Sequence, residues 1–177
     1  MNERPSQEEY AAFYEGYIHL VPEGNVIELL QKQAEHVESA IRALSDEQAN
    51  YRYDQGKWSV KEVFGHLIDN ERIMSGRLLR IARGDKTSLP GYDQDTLMEG
   101  HPFEAYSVVD LAEEYAAVRY STIVLLRRLS PEAWMRMGQV NDNTASTRSI
   151  AYVITGHELH HLSVLRDRYD VQIYEVK

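Results

Sequence analysis

Cysteine is missing from this 177-residue chain. That excludes a disulfide scaffold, a zinc ribbon and a cysteine nucleophile, so any metal site must use His, Asp or Glu. The lack of thiols also fits a reducing compartment. No apolar run approaches the roughly 20 residues needed to span a bilayer. The opening Met1-Asn2-Glu3-Arg4-Pro5 has no basic segment followed by an apolar one, so no signal peptide is expected. Basic residues are scarce: 19 Lys and Arg stand against 28 Asp and Glu, a formal net charge of −9. Such a surface repels phosphate backbones and anionic lipid, so neither nucleic acid nor a membrane is an expected partner. The acidity is spread along the chain, which argues against an acidic tail. Internal repeats and low-complexity stretches are absent, as are G-x-S-x-G, Walker A and G-x-G-x-x-G patterns. The expectation left standing is a soluble cytoplasmic protein that handles a small molecule.

What is present is helical periodicity. Residues 1–24 form a polar, then aromatic lead-in (Tyr10, Phe13, Tyr14, Tyr17) whose tyrosines are expected to drape over the rest. Residues 25–177 then read as a single helical domain. Asn25 and Glu28 have N-cap and N3 spacing, and Val26, Leu30, Val37, Ile41 and Leu44 mark one buried face. Ser45-Asp46 ends that helix. Ser59 and Glu62 form a capping-box pattern ahead of Val60, Val63, Phe64, Leu67, Met74, Leu78 and Ile81, with Gly84 as the stop. Residues 85–106 hold Pro90, Gly91, Gly100 and Pro102 and read as a long loop, a common form for a site wall. Ser107 and Asp110 start a third helix, and Ser130-Pro131-Glu132 a short one. Polar residues 138–147 read as another loop, and a last long helix is expected from about Thr147 to Tyr169. With no convincing strand pair, the fold class expected is all-α: a four-helix bundle with long crossover loops and one short extra helix.

The chemistry concentrates in Gly156-His157-Glu158-Leu159-His160-His161. His157 and His161 are four apart, about 40° around a helix axis and one turn along it, so two imidazoles can ligate one metal. Ile150, Val153, Ile154, Val164 and Leu165 define the apolar stripe of this helix, and both histidines fall near its middle. Two buried imidazoles without partners cost roughly a few kcal/mol each. A shared metal would satisfy both; so would hydrogen bonds, the commoner fate of a lone core histidine. His66, beside the stripe of the second long helix, is the third candidate, and three imidazoles would leave a coordination position open. His160 reads as stripe edge, His36 as solvated, and His19 and His101 as loop residues, His101 with a place in the site wall. Glu71 falls in the middle of its stripe, where it would either orient a ligand histidine or accept a proton as a base, or else pair with a bundle arginine. Glu158 and Asp69 read as surface residues. The order H-E-L-H-H is not the H-E-x-x-H of zincins, and no second Glu-x-x-His matches Glu158 and His161 to suggest a di-iron site.

The segment Gly56-Lys57-Trp58-Ser59-Val60-Lys61-Glu62-Val63-Phe64-Gly65-His66, continuing to Glu71, resembles the signature of the DinB/YfiT-like superfamily, and so does Gly156 to His161. The likeness runs from about residue 25 to 169 in the expected order. It implies a four-helix bundle of up-down-down-up topology. It also implies a metal site, usually zinc or nickel, on the positions of His66, His157 and His161, with water completing it. Members include thiol S-transferases that use low-molecular-weight thiols such as bacillithiol or mycothiol, others classed as metal-dependent hydrolases, and many homodimers. Two functional classes follow. One is a metal-dependent thiol S-transferase or hydrolase, in which Trp58 and the 85–106 loop help wall a pocket. The other is a non-catalytic metal-binding or interaction module. An absent cysteine means that any reacting thiol comes from outside.

Overall fold

Each long helix opens on a side-chain cap. Asn25 accepts from the Ile27 amide and starts α2 (Val26–Arg42). Ser59 and Glu62 make a reciprocal capping box at α4 (Val60–Ala82), Ser107 and Asp110 one at α6 (Val108–Leu126), and Ser146 and Ser149 one at α8 (Thr147–Tyr169). Shorter helices fill the connections: α1 (Glu15–Leu20), α3 (Asp46–Asn50), α5 (Gln94–Gly100) and α7 (Pro131–Trp134). The computed structural model describes residues 3–100 and 103–173.

The four long helices form a bundle. α4 packs on both α6 and α8, and α2 packs on α6 and more lightly on α8. α2 and α4 follow one another in the chain yet barely touch, so they lie across the bundle rather than side by side. The buried side chains fall into two apolar groups. One gathers Met74, Leu78 and Ile81 with Ile150, Val153 and Ile154; the other gathers Val60, Phe64 and Ile68 with Leu111, Leu162 and Leu165. The residues of α4 and α8 between these groups, Glu71, His157 and Glu158, are buried and polar.

Two stretches expected as loops differ from the expectation. Residues 138–147 are not a loop: Met137–Val140 (β1) and Asn143–Ser146 (β2) pair antiparallel, Met137 opposite Ser146 and Val140 opposite Asn143. Asn141 and Asp142, at φ 49° and 60°, make the two-residue connection. Two left-handed residues match the twist of a hairpin, and Asn and Asp tolerate that conformation. Four-residue strands this poor in β-branched side chains leave little periodic signal. The 85–106 stretch contains α5, and Phe103–Ala105 forms a 3-10 turn. His101 and Pro102 lie outside the described residues.

The lead-in is tied to the bundle by charge. Within the lead-in, the Arg4 guanidinium donates to the carbonyls of Ile18 and Val21, at 2.9 and 2.8 Å. Glu9 accepts from the Ser6 amide at 2.9 Å, and from the Ser146 hydroxyl and Arg148 Nε at 2.7 Å each. Burial pushes the Glu9 carboxyl up, but the bonds from Arg148, Ser6 and Ser146 outweigh it and hold the group down at about 2, against an ordinary 4.5. A carboxyl depressed by folding stabilises above its unfolded pKa and loses that contribution as pH falls through the folded one. Urea unfolding should therefore find Glu9→Gln about 1–3 kcal/mol less stable than wild type at pH 7, with the gap narrowing steadily from pH 4.5 toward pH 2. A pH-independent gap would contradict this assignment.

Candidate metal centre

His66 lies on α4 and His157 and His161 on the facing side of α8, where the two helices pack directly. Each ring centroid is 4.6–5.0 Å from the other two. One donor nitrogen from each ring can be chosen so that all three lie within 4.8 Å of one another, and His66 Nε2 is 3.1 Å from His157 Nε2. Among the described residues, none of the three rings has any other hydrogen bond. His66 is 3 % and His157 7 % exposed, and His161 is half-buried. Burial pushes His66 down to about 4. Burial, then the charges of His66 and His160, push His161 down to about 3. Burial also drives His157 well below its ordinary value, helped by His161, His66 and His160. All three rings are thus neutral at physiological pH, the form in which imidazole offers a lone pair.

This donor set fits a divalent transition metal. Bonds of ~2.1 Å put two nitrogens about 3.0 Å apart at a right angle and about 3.4 Å apart in a tetrahedron. The 3.1 Å separation of His66 and His157 lies in that interval. A hydrogen bond between the same two nitrogens would leave His161 without a partner, whereas one ion engages all three.

Aromatic side chains frame the cluster. Tyr17, from the lead-in, meets His157 edge-on at 5.3 Å and His160 at 5.5 Å, and Trp58 lies 4.9 Å from His66. The Tyr169 hydroxyl donates to the Trp58 carbonyl at 2.8 Å and fixes that segment. Two glycines permit the close approach. A Cβ on Gly156 would sit 1.9 Å from the Tyr17 carbonyl oxygen, so α1 can lie on α8 only because position 156 has none. A Cβ on Gly65 would sit 2.5 Å from the Phe103 ring, which is buried against α4. Gly156→Ala is expected to displace α1 and to destabilise by roughly 1–3 kcal/mol, despite alanine's better helix propensity. Raised proteolysis within residues 10–24 would report the displacement, and a variant as stable and protease-resistant as wild type would refute it.

Cavities open on two sides of the cluster. One, of about 440 Å³, is lined by His157, Tyr14, Tyr17, Asn70, Arg77 and Tyr92 among others. The other, of about 340 Å³, is lined by His160, His161, Trp58, Tyr53, Lys57 and Tyr169 among others. Tyr92 belongs to the 85–106 segment, so that segment and Trp58 both wall cavities beside the histidines.

Glu71 hydrogen-bonds none of the three rings among the described residues. Arg119 of α6 donates to it through Nε, at 3.0 Å to each oxygen, and through Nη2 at 2.8 Å. Arg119 also donates to Glu158, from Nη1 at 3.2 Å and from Nη2 at 2.7 Å, and to the Leu30 carbonyl at 3.4 Å. The Tyr115 hydroxyl donates to Glu158 at 2.9 Å. One guanidinium, 1 % exposed, thereby joins all four long helices. Burial raises the Glu158 pKa, and Arg119 and Tyr115 only partly offset it. Glu158, expected at the surface, is 2 % exposed. The expectation failed because α8 is covered by α4 on one side and by α1 on another, so its buried surface is far wider than one stripe. Asp69 is partly exposed, 3.7 Å from Arg72. His36 and His19 stand outside the cluster. Sequence reasoning placed Tyr115 on the buried stripe of its helix but did not single out Arg119 or Arg77. The available signal was spacing: Tyr115, Arg119 and Thr122 share one face of α6.

Known proteins share this arrangement of helices. YfiT from Bacillus subtilis, described as a probable metal-dependent hydrolase with an unusual four-helix bundle topology, superposes with a TM-score of 0.73 at 16% identity, covering 97% of this chain and 95% of that one. The mycothiol-dependent maleylpyruvate isomerase superposes with a TM-score of 0.63 at 13% identity over 81% of this chain and 61% of its own. A DinB-like protein of Bacillus subtilis, YjoA, gives 0.59 at 14% identity, over 83% of this chain and 91% of that one. At such identities the likeness establishes the fold alone. In sequence, the Oceanobacillus iheyensis protein named "Putative metal-dependent hydrolase" is 22% identical over 155 residues, 82% of this chain and 88% of that protein. The model of the DinB superfamily matches residues 29–165, which include all three clustered histidines, and the chain belongs to that superfamily.

Proposed function

We infer that this chain is a metal-dependent enzyme of the hydrolase or thiol S-transferase class, with His66, His157 and His161 holding one divalent transition metal, zinc or nickel. The observation that carries the reading is the convergence of three neutral imidazoles, two buried and one half-buried, at a place where cavities open beside them. Three protein ligands leave room for an exogenous one, and a metal so held lowers the pKa of a bound water or thiol and polarises an acceptor. The protein's part is to keep the rings neutral by burial, to orient them on two packed helices, and to exclude water with Tyr17 and Trp58. The names of the Oceanobacillus relative and of YfiT support the hydrolase form. The thiol form draws on the mycothiol-dependent neighbour and on the absence of cysteine, which makes the thiol, bacillithiol for example, an external reactant. In this reading Glu71, held by Arg119, positions the polar layer behind His157 and does not touch substrate.

A second reading, a non-catalytic metal-binding module, is favoured by one observation: no acidic side chain hydrogen-bonds any of the three rings among the described residues. Elemental analysis of tag-free protein, followed by a screen with activated esters and with bacillithiol plus an electrophile, separates the two. About one equivalent of zinc or nickel, with turnover abolished by chelation and restored by metal, supports the enzyme. Bound metal whose removal unfolds the chain, without turnover, supports the module. Failure to bind metal after incubation with zinc and nickel overturns both.

A further inference from the structure

Two arginines are buried among the described residues, and their surroundings differ. Arg119 is held between two carboxylates. Arg77, 7 % exposed, has no carboxylate partner among the described residues. Its Nη2 donates to the Pro90 carbonyl at 2.6 Å, its Nη1 meets only the Met74 sulfur at 3.3 Å, and its Cζ lies 5.2 Å from the centre of the Tyr92 ring. A guanidinium has five N–H groups, and a thioether is a weak acceptor. A ring face and one carbonyl hold this cation in place without neutralising it. Burying a charge without a counter-ion is costly, and it is tolerated where a ligand supplies the missing partner.

Arg77 stands in the wall of the ~440 Å³ cavity that His157 also lines. Asn70 lies in the same wall, where its amide donates to the Tyr92 hydroxyl. Tyr14, Tyr17 and Tyr92 supply aromatic surface, and Asp93 and Asp95 add negative charge to the lining. Those two acids disfavour a polyanion and leave a single negative charge as the better match for one arginine. The volume suits a small molecule.

We propose that this cavity is a substrate site for small monocarboxylates with a flat apolar body, the carboxylate taken by Arg77 and the body lying on the tyrosine wall with its other end toward His157. The role of that other end rests on the metal-centre reading; carboxylate recognition does not. Isothermal titration of the full chain as purified, and again after chelation, tests it with phenylacetate, the neutral phenylacetamide and phenyl phosphate. Phenylacetate should bind at least about tenfold more tightly than the other two, in both preparations, as expected for a charge-assisted pair. Arg77→Met should lose about tenfold for phenylacetate, leave phenylacetamide unchanged and keep the metal content of wild type. Equal affinity for acid and amide, no phenylacetate binding at millimolar concentration, or an Arg77→Met variant that binds phenylacetate undiminished would each overturn the proposal. The comparison of ligands on the wild type decides the matter even if the variant fails to fold. Binding that survives chelation separates this site from the metal centre, so loss of either reading is visible without the other.

Discussion

Arg119→Met will lower the unfolding free energy by about 3–5 kcal/mol, the largest stability loss expected from any single substitution in this chain. The side chain is 1 % exposed and is the shared partner of Glu71 and Glu158, each also buried. Methionine fills similar volume but leaves two carboxylates in the core with no cation, and the Leu30 carbonyl with one donor fewer. Part of the loss will be recovered by protonation of Glu158, whose carboxyl burial already pushes up, so the variant should regain stability relative to wild type as pH falls. For a chain of this length the loss corresponds to a fall in Tm of about 10 °C. Arg119→Lys should rescue little, because one ammonium cannot reproduce a fork that reaches two carboxylates and a carbonyl. Glu158→Gln is the contrasting case. The layer has two acids for one base, so removing a charge while keeping the amide oxygen should change stability by no more than about 1 kcal/mol. Urea unfolding of the three variants at pH 7 checks the set. Equal losses for Arg119→Met and Glu158→Gln would show that packing, not charge, holds this layer together.

Removal of any one clustered histidine will change the sign of its effect with metal. In the metal-free protein His157→Ala should match or exceed wild-type stability, because a buried imidazole without a hydrogen-bonding carboxylate or carbonyl contributes desolvation and little else. In the presence of zinc or nickel the order should invert. A ligand that binds only the folded state adds about 4 kcal/mol at a thousandfold excess over Kd, and the variant forfeits most of it. Loss of an outer partner of a metal-bound histidine costs roughly 10–100-fold in affinity, and loss of a ligand itself should exceed that. Titration of zinc into chelated wild type, His66→Ala, His157→Ala and His161→Ala, read by thermal shift, gives both quantities. His160→Ala, whose ring is 5.1 Å from His161 but outside the converging set, should stay near wild type. Equal weakening by all four substitutions would reduce the cluster to nonspecific binding by a histidine-rich surface.

Much of the architecture was legible because it depends on local chemistry. Ser59 with Glu62 and Ser107 with Asp110 satisfy helix-end amides within one turn, so the caps could be recognised without knowing what lies opposite. His157 and His161 share a face through helix geometry alone, and the apolar stripe around them marks that face as buried. The hairpin of residues 137–146 was missed for the converse reason: its short strands carry few apolar residues, and its turn rests on two left-handed residues without a glycine. Glu158 was misplaced because a stripe drawn from His157 assumes one covering partner, while α8 has α1 on it as well.

By itself, then, the sequence determined the four long helices, the caps of three of them and the spacing of two histidines, since each is set by interactions within about one helical turn. Only the tertiary structure decided which distant groups meet. It brought the His66 ring, 91 residues away, within 3.1 Å of His157, and it assigned Glu71 to Arg119 rather than to a histidine. It laid Tyr17 over the cluster and left Arg77 without a carboxylate partner among the described residues. Such pairings depend on how helices rotate and cross when their apolar faces close, a choice made by packing across the whole core.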